Sequence, residues 1–285
     1  MSLLIEADEL AGMLGDESLR LIDTRFSLQD ITLGNQQYLD GHIPGAVYAD
    51  LKQDLSGSIS PGVTSRHPLP DPVQFAKRLQ SWGITESTHV VVYDDGSHAM
   101  AARCWWLLAW VGVSHVRVLH GGFKAWVEGG GAVTQDAWVP EPSDTVFSPG
   151  YLQTVEADEV LGLSRQSAVL LDARGRERFA GREEPIDPVA GHIPGAICMP
   201  FADNMDGNHR FLAPGVLAER FGRFYSTSDT DTDTDSRPVC YCGSGVTACH
   251  NILAMRLAGL PWPRLYPGSW SEWITDPARP VATGD

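Results

Sequence analysis

The sequence predicts an α/β protein made of two tandem domains, each a mainly parallel sheet flanked by helices on both faces. Three observations predict it. The chain repeats itself at an offset near 150: Glu6-Ala7-Asp8-Glu9-Leu10 returns as Glu156-Ala157-Asp158-Glu159-Val160, and Gly41-His42-Ile43-Pro44-Gly45-Ala46 returns unchanged as Gly191 to Ala196. Each copy alternates short apolar runs with helix-length stretches, the pattern of strand-helix-strand units. A length of 285 residues also suits two domains better than one.

The first strand of each copy is Leu19 to Asp23 and Ala168 to Asp172, an apolar run ending in Asp. Unbroken apolarity is what a parallel strand covered on both faces requires. Asp23-Thr24-Arg25 then returns as Asp172-Ala173-Arg174. Val90 to Tyr93 and Val239 to Tyr241 are the next strands. Each leads through a Gly/Ser turn into a predicted helix, Ala99 to Val111 and Val246 to Ala258, closed by Gly112 and Gly259. Val116 to Leu119 and Arg264 to Tyr266 supply a further strand. A register of 147 residues pairs Gly96 with Gly243, Ser97 with Ser244, Gly121 with Gly268 and Trp126 with Trp273. These registers place one domain over residues 1–138, a proline-rich linker over 139–150, and a second domain over 151–285. Binding sites in such sheets open at the carboxyl ends of strands.

Composition narrows the function classes. Asp and Glu total 36 against 21 Lys and Arg, a formal charge of −15. That balance repels phosphate backbones and anionic lipid, so neither nucleic acid nor membrane is expected as a partner. No apolar run reaches the roughly 20 residues of a membrane span. The N-terminal segment has no signal-like pattern, and five cysteines, three of them within ten residues, do not resemble a secreted disulfide framework. The expected compartment is a reducing cytoplasm. The run Ser228 to Asp235 lacks the glycine and terminal Glu of a calcium loop and reads as solvated.

The chemistry concentrates in Val239-Cys240-Tyr241-Cys242-Gly243-Ser244-Gly245-Val246-Thr247-Ala248-Cys249-His250. Cys242 stands where a strand ends and a helix begins. Gly243 and Gly245 let the backbone curl and turn amides inward, and the following helix points its positive end at the same place. Those features favour a thiolate, a soft nucleophile suited to attacking sulfur. The reading requires that this sulfur keep an opening to solvent rather than be sealed in apolar packing. Cys240 and Cys249 read as core residues. A phosphatase loop needs Arg six places after its cysteine, and Ala248 stands there. No Cys or His pairs have zinc spacing, so no metal is expected, nor any other cofactor. His42 and His192 lie in the duplicated motif and read as turn structure.

On these motifs the chain resembles the rhodanese superfamily in its two-domain form. The resemblance rests on the paired Asp-x-Arg and Gly-His-Ile-Pro-Gly-Ala motifs, the Cys242 to Ala248 loop, and Gly268-Ser269-Trp270-Ser271-Glu272-Trp273. The loop is similar to that of the 3-mercaptopyruvate sulfurtransferases. Thiosulfate-using relatives usually carry Arg and Lys after the cysteine, where this chain has Gly243 and Ser244. The resemblance implies sulfur transfer through a Cys242 persulfide cradled by the Gly243, Gly245, Val246 and Thr247 amides. Ser244 and His67 are implied as a proton relay. The aspartate completing that relay is left between Asp50 and Asp54, because Lys52 stands at its aligned place. Arg178 is implied as the ligand of the donor carboxylate, its plain alternative being a surface pair with Glu177 or Glu183. A second arginine expected nine places later is replaced by Asp187, and Arg182 is the candidate substitute. Asp95 aligns with Cys242, which makes the first domain catalytically silent. The implied partners are a small sulfur donor and a thiol acceptor such as thioredoxin or a low-molecular-weight thiol. Thiosulfate:cyanide transfer, and a persulfide carrier without turnover, stand as alternatives.

Overall fold

The computed structural model describes residues 2–166, 168–226 and 236–284. The Asp/Thr run singled out above lies outside the described residues. The chain forms two compact units. The first comprises Met1–Gly57, Leu69–Tyr151 and Gly207–Arg210, and the second Ser58–Pro68, Leu152–Asp206 and Phe211–Asp285.

In the first unit the order is β1 (Leu4–Ile5), α1 (Ala7–Ala11), β2 (Leu19–Asp23), α2 (Leu33–Asp40), β3 (Ala46–Tyr48), α3 (Pro72–Ser81), β4 (His89–Tyr93), α4 (Ala99–Trp110), β5 (Val116–Leu119) and α5 (Gly122–Glu128). Its sheet has the order β1-β5-β4-β2-β3 and every pairing is parallel. Crossover helices are what parallel neighbours require. Ile5, Leu21, Val91, Leu119 and Trp126 meet in one buried cluster.

The second unit has α6 (Ala157–Arg165), β6 (Leu170–Asp172), α7 (Arg176–Phe179), β7 (Ile197–Cys198), a 3₁₀ turn at Phe201–Asn204, α8 (Pro214–Gly222), β8 (Val239–Tyr241), α9 (Thr247–Leu257), β9 (Arg264–Leu265) and α10 (Ser269–Trp273). Its sheet order is β7-β6-β8-β9, again all parallel. Val160, Leu170, Val239, Tyr266, Trp270 and Trp273 form its core. β6 begins at Leu170, two residues later than the apolar run predicts. Helices α4 and α9 end one residue short of the predicted stretches, with Gly112 and Gly259 in the left-handed region beyond them.

The duplicated motifs have a structural cause in both units. Arg25 donates to the Asp23 carboxylate and to the Gly41 carbonyl, and Arg174 does the same to Asp172 and Gly191. This buried ion pair ties the end of the first long strand to the Gly-His-Ile-Pro turn. His42 bonds the Tyr38 carbonyl and stacks on that ring, and His192 repeats this with Phe179.

The predicted domain boundaries need correction. Residues 139–150 dock on the first unit: the Ser143 amide donates to the Gln80 carbonyl and its hydroxyl to the Ile84 carbonyl. Ser58–Pro68, counted with the first domain by position, belongs to the second unit. Sequence offset records descent of the repeat, whereas packing decides where a long loop finds its partners.

Candidate active site

Cys242 follows directly on β8, at the carboxyl edge of the second sheet. The chain then turns through Gly245, whose φ of +81° favours glycine. A Cβ there would stand 2.6 Å from the Pro267 carbonyl oxygen, so space as well as conformation demands glycine. Helix α9 starts two residues later. The Gly268 to Trp273 motif holds the loop from outside. The Cys242 amide donates to Ser269 Oγ at 3.1 Å, and the Cys242 and Gly243 carbonyls accept from the amides of Trp270 and Ser271 at 3.0 and 2.9 Å.

The Gly245 amide donates to Cys242 Sγ at 3.1 Å. Among the described residues, the amides of Gly243, Ser244 and Val246 meet no acceptor. Val246 caps α9 and Thr247 opens it. The sulfur therefore lies in a loop rich in unspent N–H groups.

Exposure corrects one expectation. Cys242 keeps only 1% of its surface, so its sulfur is not openly accessible. Polar groups crowd the next residue of the loop, however. A Cβ placed on Gly243 would lie 2.9 Å from Arg66 Nη2 and 3.6 Å from both terminal nitrogens of Arg178. The two guanidinium side chains remain 29% and 21% exposed. Two partly exposed guanidinium groups, each paired with a carboxylate, thus stand beside Gly243.

Arg178, on α7, engages Glu184 through Nε at 3.0 Å and Asp187 through Nη2 at 3.0 Å. It pairs with neither Glu177 nor Glu183. Glu184 also meets Arg174 at 3.4 Å, which links the site to the duplicated clamp. Burial alone would raise the Glu184 carboxyl, but hydrogen bonds from Arg178 and nearby amides hold it below its ordinary range. Asp187 is raised instead, because burial outweighs its two arginine neighbours.

Arg182 does not take the role expected of it. It forks the Glu177 carboxylate at 2.6 and 2.9 Å. It lines a surface hollow with Arg176, Phe179 and Cys198. The second guanidinium against the cysteine loop is Arg66, which forms an ion pair with Asp187 and whose amide donates to Ser271 Oγ. Sequence reasoning missed Arg66. Its signal was present but unread: it immediately precedes His67, in the segment that belongs to the second unit.

His67 Nδ1 and Ser244 Oγ form a hydrogen bond of 2.8 Å, and both side chains are buried. The two residues are 177 positions apart. Asp54 is bound to Arg78, and Asp50 accepts from the Lys52 and Gln53 amides. Cys240 and Cys249 are buried, and Cys249 Sγ donates to the Gly245 carbonyl. Burial pushes the half-buried Cys198 thiol up to about 11. All five cysteines are free thiols. No helix of the described residues is long and apolar enough to cross a membrane.

A nucleophile at a strand end, an amide-rich loop and two clamped arginines define a site for attack on a small anionic molecule. The chain belongs to the rhodanese family: the rhodanese-like domain model matches residues 6–129 and again 156–276. It is 49% identical to a Pseudomonas aeruginosa protein named "Probable 3-mercaptopyruvate sulfurtransferase", over 99% of this chain and 98% of that one. It is 33% identical to the bovine (Bos taurus) protein named "Thiosulfate sulfurtransferase", over 93% of this chain and 87% of that one. Among solved structures, the 3-mercaptopyruvate sulfurtransferase of Leishmania major matches with a TM-score of 0.81 and 31% identity, covering 95% of this chain and 74% of that one.

Proposed function

We propose that this protein is a 3-mercaptopyruvate sulfurtransferase working through a Cys242 persulfide. The observation that carries the reading is the setting of Cys242. Its sulfur accepts the Gly245 amide, two guanidinium groups face Gly243 beside it, and Ser244 is bonded to His67.

The donor carboxylate binds at Arg178, whose planar fork suits it. The Cys242 thiolate attacks the donor sulfur, forming the S–S bond as the carbon–sulfur bond breaks. The electron pair of that bond stays on carbon as pyruvate enolate. The enolate takes up the proton that the donor thiol gives up, relayed by Ser244 and His67, and leaves as pyruvate. The outer sulfur remains as a persulfide anion, stabilised by the unspent amides of the loop. An acceptor thiolate, of thioredoxin or a small thiol, then attacks that outer sulfur, leaves as its own persulfide and restores the Cys242 thiolate. Cyanide serves the same role in an assay. With five free thiols, the reducing cytoplasm is the fitting compartment.

The test is kcat/KM for 3-mercaptopyruvate and thiosulfate side by side, with cyanide as acceptor. Mercaptopyruvate is expected to lead by on the order of 10²-fold. A lead for thiosulfate overturns the donor assignment. Negligible turnover with both, together with a stable mass gain of ~32 Da on Cys242, makes the chain a carrier instead.

A further inference from the structure

The ion-pair cluster over Gly243 contains a residue that the reaction scheme above does not use. Asp187 is buried and bridges Arg178, at 3.0 Å, and Arg66. Glu184 takes the Nε edge of Arg178. The cluster is two guanidinium groups against two carboxylates, so its formal charge is zero. Each arginine nevertheless keeps one terminal nitrogen outside these pairs: Arg66 Nη2, and Arg178 Nη1, lie 2.9 and 3.6 Å from a Cβ built on Gly243. Those two nitrogens converge on the space beside Gly243, the residue after Cys242.

A singly charged carboxylate can take both free N–H edges without displacing either acid. In this cluster a second negative charge on the bound molecule meets only guanidinium groups that already have a carboxylate partner, and two buried carboxylates oppose it where repulsion is poorly screened. Arg66 also fills the space into which any side chain at 243 would project, so a cation is supplied there without lengthening the loop. Its own placement depends on Asp187, the acid that grips its other nitrogen.

We propose that Arg66 is the second guanidinium of the donor site and that Asp187, by tethering it and cancelling one positive charge, restricts the site to singly charged donors. This rests on the sulfurtransferase reading for the identity of the donor, but not for the charge preference itself.

The experiment has two arms on the full chain. In the first, kcat/KM is measured for 3-mercaptopyruvate and thiosulfate in wild type and in Asp187→Asn, which keeps the shape and removes the charge. The thiosulfate-to-mercaptopyruvate ratio is expected to rise about tenfold, mainly through a lower KM for thiosulfate. In the second, turnover plays no part: pyruvate (a monoanion) and sulfate (a dianion) protect Cys242 against iodoacetamide, read by mass spectrometry. Wild type should be protected at lower concentration by pyruvate, and Asp187→Asn should shift the preference toward sulfate by about tenfold. Arg66→Gln should weaken protection by both anions about tenfold and raise the mercaptopyruvate KM with kcat within threefold, and Arg66→Lys should recover part of the loss. An unchanged anion preference in Asp187→Asn, or undiminished protection in Arg66→Gln, overturns the proposal. Should Asp187→Asn fail to fold, the Arg66 pair decides. A wild type inert toward mercaptopyruvate would sink the functional reading alone, since the protection arm still reports on the charge filter.

Discussion

The two units carry the same loop in opposite states. In the first, Asp94 follows β4 and turns its carboxylate into the loop. One oxygen accepts from the amides of Gly96 and His98 at 2.9 and 3.0 Å, the other from those of Met100 and Ala101 at 3.1 and 3.2 Å. In the second, Tyr241 takes the matching place and packs in the core, and the Gly245 amide donates to the sulfur of Cys242 instead. The left-handed position of the turn is kept in both, by His98 at φ 57° and by Gly245 at φ 81°. One loop has its amides taken by its own chain, and the other keeps several of them open. Two adjacent differences, Asp94 against Tyr241 and Asp95 against Cys242, separate the two loops.

The comparison can be broken most forcefully at the sulfur. Cys242→Ser should lower pyruvate release by at least about 10³-fold and abolish the persulfide mass gain, with the fold retained by circular dichroism. Persistent release would mean that another thiol carries the reaction, and the contrast between the loops would lose its meaning.

A smaller effect sits on the plugged side. Burial, with Asp95 alongside, pushes the Asp94 carboxyl up to about 6, against the pull of its amide donors. A carboxyl raised in the folded state binds more protons there than in the unfolded chain between pH 4 and 6. Stability contributed by the protonated plug is therefore present near pH 4 and is lost as pH rises through 6. The loss is on the order of 3 kcal/mol and complete above that window. Urea unfolding of wild type and Asp94→Asn at pH 4 to 7 checks this. Wild type should lose that amount relative to Asp94→Asn between pH 4 and 7, and parallel curves would remove Asp94 as the source.

The mildest outcome is an expected absence of gain. Asp95→Cys in the Cys242→Ser background puts a thiol at the matching place in the plugged loop. It should acquire no sulfur from mercaptopyruvate, because the Asp94 carboxylate already holds the amides a persulfide anion needs. Sulfur loading at residue 95 would show that the plug does not decide the matter.

Local features were legible before any coordinates. The parallel strands ending at Asp23 and Asp172, the glycine-closed helices and the cysteine loop all follow from spacings shorter than twenty residues. Hydrophobic period, glycine conformation and helix direction act over that range. Arg178 was singled out only through the family resemblance, and its partners Glu184 and Asp187 were not foreseen. Asp187 was read only as a missing arginine, and Arg182 was put forward because it is near in sequence. That choice failed for a physical reason: four residues along α7 and the chain after it point Arg182 toward Glu177, away from the loop.

What the amino-acid order determined by itself was the fold class, the repeat, and the placing of one sulfur at a strand end among flexible glycines. What tertiary structure alone decided was the company that sulfur keeps. Arg66 and Asp187 are 121 residues apart, and His67 and Ser244 are 177 apart. No periodicity links such positions. They meet because the segment from 58 to 68 packs with the second unit, where burial strengthens their attraction and makes an unpaired charge too costly to leave.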